Sequence, residues 1–255
     1  MEYNHSIWAT IIPSLLLVLF IYLRDKLRRE PIGVLLFTYF IGICGGLVLV
    51  FLYHGMHIPT IYDAPDILSW NMIWKMAIGA GLDQLIMLAI LLCFIRYNIF
   101  VDEHTDKIVY ASCIAMGVIT AKNVVYCLMN NSATMYSQGV VRSLVLIPIF
   151  FVCGVMLGYL CSSLKIKKIP FYSLKFPILI VVPISLQCIL SYIFLFFDVQ
   201  FGLTGSFFYF LVVLVVGLYM YILHDNAIEK SQIRDIEEKI VKSVYDITRY
   251  IKKKK

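Results

Sequence analysis

Gly33-Val-Leu-Leu-Phe-Thr-Tyr-Phe-Ile-Gly-Ile-Cys-Gly-Gly-Leu-Val-Leu-Val-Phe-Leu-Tyr53 carries no charge, no proline and no amide side chain. A helix needs about 20 consecutive apolar residues to cross the hydrocarbon of a bilayer, and this run supplies them. Runs of the same kind recur at 6–23, 71–95, 108–128, 142–162, 174–197 and 206–223. Those at 71–95 and 174–197 contain polar residues, which blurs their edges. Composition agrees: 61% of residues are apolar, 15% are charged and the mean hydropathy is +0.85. Soluble domains are roughly a quarter charged, so this chain has more apolar surface than a water-soluble core of its length can hide. The expected fold is an all-α polytopic membrane protein, a single bundle of about seven transmembrane helices. No second large domain is expected within these 255 residues.

Basic residues set the expected orientation. Arg24, Lys26, Arg28 and Arg29 follow the first run, Arg96 and Lys107 flank the 96–107 loop, and Lys165, Lys167, Lys168 and Lys175 follow the fifth run. The intervening loops at 55–70, 129–141 and 198–205 hold no Lys or Arg, and the segment from 225 onward holds nine. Positive charge on alternate loops places the N-terminus outside and the C-terminus in the cytosol. The net charge of +6 is then cytosolic flank charge and implies no nucleic-acid partner. The first run follows Met-Glu-Tyr-Asn-His, an acidic flank with no small-residue cleavage site after it, so it reads as a retained signal anchor.

The remaining features are weaker. Cys44, Cys93, Cys113, Cys127, Cys153, Cys161 and Cys188 lie within or at the ends of the runs, with no Cys-x-x-Cys spacing, and read as small packing residues. His54 and His57 stand at i, i+3 beside the outer segment that carries Asp63, Asp66 and Trp70, a pattern that suits interfacial residues better than a metal pair. From Asn226, Ile233, Ile236, Ile240, Val244, Ile247 and Ile251 recur at three- and four-residue spacing between charges. That stripe predicts a cytosolic amphipathic helix. It ends in Lys252 to Lys255, which would favour anionic lipid. The chain thus divides into a transmembrane domain, 1–224, and a polybasic tail, 225–255.

Polar groups inside the spans are the first place to look for function. Asp83 and Gln84 fall mid-run in the third span, Lys122 and Asn123 in the fourth, and Ser185, Gln187 and Ser191 in the sixth. A lone charge at a span centre costs about 2.5–3.5 kcal/mol on insertion scales, so Asp83 and Lys122 are expected to face inward and pair. The plain reading is a structural ion pair; the functional alternative is an ion or proton pathway.

The stretch Phe100-Val-Asp-Glu-His-Thr-Asp-Lys-Ile-Val-Tyr110, followed by Gly117 and Lys122-Asn-Val-Val-Tyr126, resembles the signature of PrsW-type intramembrane proteases. In that group an Asp/Asn-Glu-Pro-x-Asp-Gly-Ile-Val-Tyr segment leads into a helix with Glu-Asn-x-x-Tyr. Arg24-Asp25 with Arg29-Glu30-Pro31 resembles the segment after the family's first helix, and Arg142, Pro148, Gly154 and Gly158-Tyr159 resemble its Arg…Pro-Gly-His…Gly-x-x-x-Gly-Tyr helix. The likeness covers roughly residues 20–192. Asp25, Glu30, Pro31, Asp102, Glu103, Asp106, Asn123, Tyr126 and Arg142 are its shared positions.

The resemblance implies a metal-dependent scaffold related to the CAAX prenyl proteases, cutting single-span membrane proteins such as anti-sigma factors, in a bacterial plasma membrane. It also implies that the chemistry is missing. The family's Glu-Glu-x-x-Lys falls on Asp83, Gln84 and Met87, its next Glu on Lys122, its His on Phe150, and its last His-x-x-x-Asp on Gln187 and Ser191. A zinc site wants at least three good ligands, and of these positions only Asp83 offers an anion. The expected protein is a catalytically inactive homologue without a cofactor, embedded in membrane lipid and binding another membrane protein or a lipid. Its oligomeric state is left open. Two competing readings are an active protease with a rearranged site drawing on His54, His57, Asp63 or His104, and a small transporter or channel around Asp83 and Lys122.

The orientation is directly testable. Cysteines introduced at positions 60, 133 and 202 should react with an impermeant reagent from outside the cell, and those at 28, 104 and 168 should not. The reverse labelling pattern would invert the topology.

Overall fold

The structure is a computed structural model of the chain. It describes residues 2–24, 31–56, 70–97, 105–129, 135–163 and 175–254, and over helix ends such as 135–142 and 197–203 and most of 225–254 it describes the backbone alone. Apart from Pro31, Met56 and Thr105 at helix ends, every described residue is helical. Hydrocarbon offers no hydrogen-bond partner, so each spanning segment must satisfy its own backbone, and a helix does so within one segment.

The elements are α1 (Glu2–Arg24), α2 (Ile32–Gly55), α3 (Trp70–Tyr97), α4 (Asp106–Met129), α5 (Met135–Ser163) and α6 (Lys175–Lys254). Pro31 begins α2: its ring fixes φ at −58°, and the Val34 amide donates to its carbonyl at 2.8 Å. The helical run α6 is no single rod. The Tyr209 hydroxyl donates to the Leu190 carbonyl at 2.6 Å, and the Phe194 and Tyr209 rings lie 5.6 Å apart. In a straight helix residues 190 and 209 would be separated by roughly 28 Å at 1.5 Å per residue. The chain therefore reverses between them into two antiparallel legs, Pro177–Phe196 and Thr204–His224, each apolar and long enough to span. With α1 to α5 these legs make a bundle of seven described segments, six of which meet the length and hydropathy of a span; the apolar part of α1 resolved with side chains, Thr10–Arg24, is shorter.

One expectation needs correcting here. Residues 198–205 read as an outer loop, yet their backbone is helical. Helical turns on either side of the reversal let most amides of this connection find backbone partners near the membrane. Helical backbone likewise continues without a break from the second leg into 225–254. In that stretch Ile233 is a described side chain and is exposed.

Helix α4 is the axis of the bundle. Along its span 83% is buried, and 78% of α5, against 33% and 28% for the two α6 legs. Small residues make this possible by letting backbones approach. On one side Gly42 of α2 meets α4 at Gly117, where an added Cβ on Gly117 would stand 2.9 Å from the Gly42 Cα, and Gly46 lies against Val118 and Ala121. On the other side Gly154 and Gly158 of α5 ride on Ala111, Ala115 and Ile108. A cluster of hydroxyls adds a polar tie. Tyr39 of α2 donates to Thr120 of α4 at 2.9 Å, and Ser14 of α1 lies 2.7 Å from that same oxygen. The outward faces carry Leu16, Phe37, Phe40, Phe51, Val181 and Val215, all exposed, as a lipid-facing surface requires.

Candidate functional site

Helix α3 presents Ala80, Asp83, Gln84, Met87, Leu88 and Leu91 on one buried stripe, at the three- and four-residue spacing that keeps side chains on a single face. Leu85 and Ile78 point the other way and are exposed. The helix is therefore turned so that Asp83 and Gln84 face the bundle together with Met87, Leu88 and Leu91, while Ile73, Ile78 and Leu85 face outward. Asp83 is 2% exposed.

Lys122 of α4 reaches Asp83 across the helix interface. Its Nζ lies 2.7 Å from Oδ1 and 2.8 Å from Oδ2, so the ammonium addresses both oxygens of the carboxylate. The first leg of α6 contributes Gln187, whose Nε2 donates to Asp83 Oδ2 at 2.9 Å. Gln84 of α3 completes the chain by donating from Nε2 to Gln187 Oε1 at 2.6 Å. Two rings face the ammonium: Tyr53 in the last turn of α2, its centre 4.4 Å from Nζ, and Phe150 of α5, 5.1 Å away. The Tyr53 hydroxyl is 3.4 Å from Nζ. Five helical elements, α2 to α6, thus converge on one ion pair.

The electrostatics follow from burial. Each ion alone would lose its hydration with nothing in return, while the pair gains a strong attraction in a poorly polarisable interior, and the Gln187 amide satisfies one further lone pair of the carboxylate. The network is not saturated. Gln84 Oε1 is buried without a hydrogen-bond partner among the described residues.

The other positions singled out in the sequence are placed as follows. Met87 is fully buried one turn below Asp83, and Ser191 is buried one turn beyond Gln187. Asp106 opens α4 and is buried, as is Asn123, and Tyr126 is half-buried. His54 is exposed at the end of α2. Asp25, Glu30, Asp102, Glu103, His57, Asp63 and His104 lie outside the described residues, as does the side chain of Arg142. The seven cysteines carry no disulfide. Sequence reasoning missed Tyr53, because an aromatic at the end of an apolar run looks like an interfacial anchor. It also missed Ser14, Tyr39 and Thr120, since single hydroxyls inside apolar runs carry no spacing signal.

A divalent metal does not fit this arrangement. Asp83 is the one anion among the clustered side chains, and both its oxygens are engaged by an ammonium. Among the described residues no three His, Cys, Asp or Glu side chains come together at ligating distance. Amides and a phenyl ring are no substitute for imidazole and carboxylate ligands.

Breaking the pair should be expensive and removing it cheap. Lys122→Met leaves a buried carboxylate unpaired and should destabilise the protein by about 3–5 kcal/mol in denaturant titrations. Asp83→Leu combined with Lys122→Met should recover much of that loss. Strictly additive effects would mean that the two residues do not interact.

Comparison with known proteins gives this geometry a context. The chain is 25% identical over 151 residues to the protein named Protease PrsW of Bacillus subtilis, a match covering 59% of this chain and 65% of the relative. It is 26% identical over 157 residues to Protease PrsW of Oceanobacillus iheyensis, covering 62% and 68%. It is 25% identical over 166 residues to Protease PrsW of Geobacillus kaustophilus, covering 64% and 69%. The chain thus spans about two thirds of the length of the curated relatives it matches. No family model matches the chain, and no solved structure does. The chain is thus an integral membrane protein, an all-helical bundle of apolar spans, that is similar in sequence to the PrsW proteases.

Proposed function

We propose that this chain uses a PrsW-like scaffold to bind another membrane protein without cutting it, in a bacterial plasma membrane. The observation that carries the reading is the bidentate contact of Lys122 with Asp83. Amide hydrolysis needs a water activated by a metal or by a general base. Asp83 is the one carboxylate in the cluster, and an ammonium and an amide already occupy its lone pairs. Gln84, Phe150 and Gln187 supply neither a proton acceptor of useful strength nor a strong ligand. The residues that could take a proton are therefore spent on one another.

The partner class rests on the relatives. They are named proteases, so their scaffold meets proteins. A chain that keeps the bundle and lacks the reactive groups retains the means to receive a protein and loses the means to hydrolyse it, because chemistry resides in the site and not in the fold.

The same names favour a second reading, an active peptidase with a rearranged site. His54, exposed at the end of α2, would then have to act together with His57, Asp63 or His104. One experiment separates the two. The purified chain is reconstituted with single-span membrane proteins that a PrsW protease cleaves, with and without a chelator. The proposed function predicts that such a protein co-elutes uncut, that the chelator changes nothing and that metal analysis finds no stoichiometric divalent ion. Chelator-sensitive cleavage by the purified chain would establish the peptidase instead. Retention of lipid with no retained protein would move the site to a lipid-binding role.

A further inference from the structure

The surroundings of Lys122 have a chemical selectivity of their own. Its Nζ is held by a carboxylate at 2.7 and 2.8 Å and faces two aromatic rings at 4.4 and 5.1 Å. A carboxylate supplies countercharge and acceptors, and the negative faces of the rings attract a cation from other directions; aromatic cages that recognise organic ammonium ions work in this way. The set suits a compact monovalent cation that has N–H donors for Asp83 and an alkyl stem for the apolar walls. It suits a divalent ion poorly, since rings donate no ligand atoms. A neutral group could hydrogen-bond there but would leave the buried Asp83 charge without a counter-ion.

The walls of the cage have partners besides its occupant. Gln187 Nε2 holds Asp83 Oδ2 at 2.9 Å, and Gln84 Nε2 holds Gln187 Oε1 at 2.6 Å. The carboxylate is therefore also held from α6, and through Gln187 from α3. Tyr53 and Phe150 come from α2 and α5, and Phe150 is fully buried. Lys122 itself retains 11% exposure, the more open member of the pair.

We propose that Asp83, Tyr53 and Phe150 form an ammonium-recognition site, that Lys122 is its built-in ligand, and that the site takes an external primary alkylammonium once that side chain is removed. This goes beyond the proposed function and holds or fails whether the chain binds a protein or cuts one. The best-matched ligand follows from the atoms. Lys122→Ala removes Cγ, Cδ, Cε and Nζ, which together amount to propylammonium.

The test is thermal melting of the full-length Lys122→Ala variant in detergent, titrated separately with propylammonium chloride, propanol and zinc chloride. The variant should melt below the parent chain. Propylammonium should raise its Tm saturably and recover a large part of the loss. Propanol should do little, because it fills the space without the charge, and zinc should do little for want of ligands. The parent chain, whose site is filled, should not respond. Asp83→Asn combined with Lys122→Ala should not respond either. Absence of a saturable response to propylammonium, an equal response to propanol, or a response confined to zinc would each overturn the proposal.

If Lys122→Ala does not fold, the amine is supplied during expression and extraction, and folded yield that depends on propylammonium counts in favour. Should no yield appear either way, Phe150→Leu decides the matter. Its loss of Tm should be larger in the parent than in a Lys122→Met background, because the ring acts on the ammonium. Equal losses in the two backgrounds would refute the cage.

Discussion

A carboxylate and an ammonium lie in contact inside a bundle whose outer surface is built for hydrocarbon, and neither ion is stable there without the other. That constraint fixes much else. α3 must turn its Asp83 face inward, which sends Leu85 and Ile78 outward. α4 must sit deep enough for Lys122 to meet it, and glycines on α2 and α5 let both neighbours close on α4 from either side. The first leg of α6 is drawn in through Gln187, which answers a lone pair that the lysine leaves. Packing of small residues places the backbones, and the ion pair sets the rotation of the helices that contribute to it.

The same pair governs the chemistry open to the site. Asp83, Gln84, Lys122, Phe150 and Gln187 are scattered through the sequence, yet each touches another member of the group. The arrangement is mutually consistent: the cation has a counter-ion and two ring faces, and the counter-ion has an amide backed by a second amide. A site built this way is suited to holding a charge in place. Among the described residues it has no coordination sphere for a metal and no lone carboxylate to act on water, and the proposed reading as a binding scaffold rests on that contrast with the relatives named as proteases.

The sequence made much of this legible because hydrocarbon imposes a simple rule. Runs such as 33–53 admit few alternatives to a spanning helix, and each apolar run coincides with a helical segment or leg within a few residues. Asp83 and Lys122 stood out for the same reason, as opposite charges in the middle of predominantly apolar runs. What sequence could not give was set by tertiary approach. Nothing local distinguishes Tyr53, which faces Lys122, from the interfacial tyrosines. Nothing local says that α4 is buried all round, since its polar and small residues resemble those of a partly exposed span. The reversal after Phe196 keeps helical backbone through 198–205, where the drop in hydropathy reads as an open loop.

The central claim is that Lys122 and Asp83 are both charged and in contact within the bilayer. Solid-state magnetic resonance on the protein in lipid, with isotope-labelled lysine nitrogen and aspartate carboxyl carbon, measures this directly. The account predicts an ammonium resonance for Lys122 with strong dipolar coupling to the Asp83 Cγ, lost in Asp83→Asn. A neutral amine at Lys122, or an ammonium with no coupling to Asp83, would contradict it.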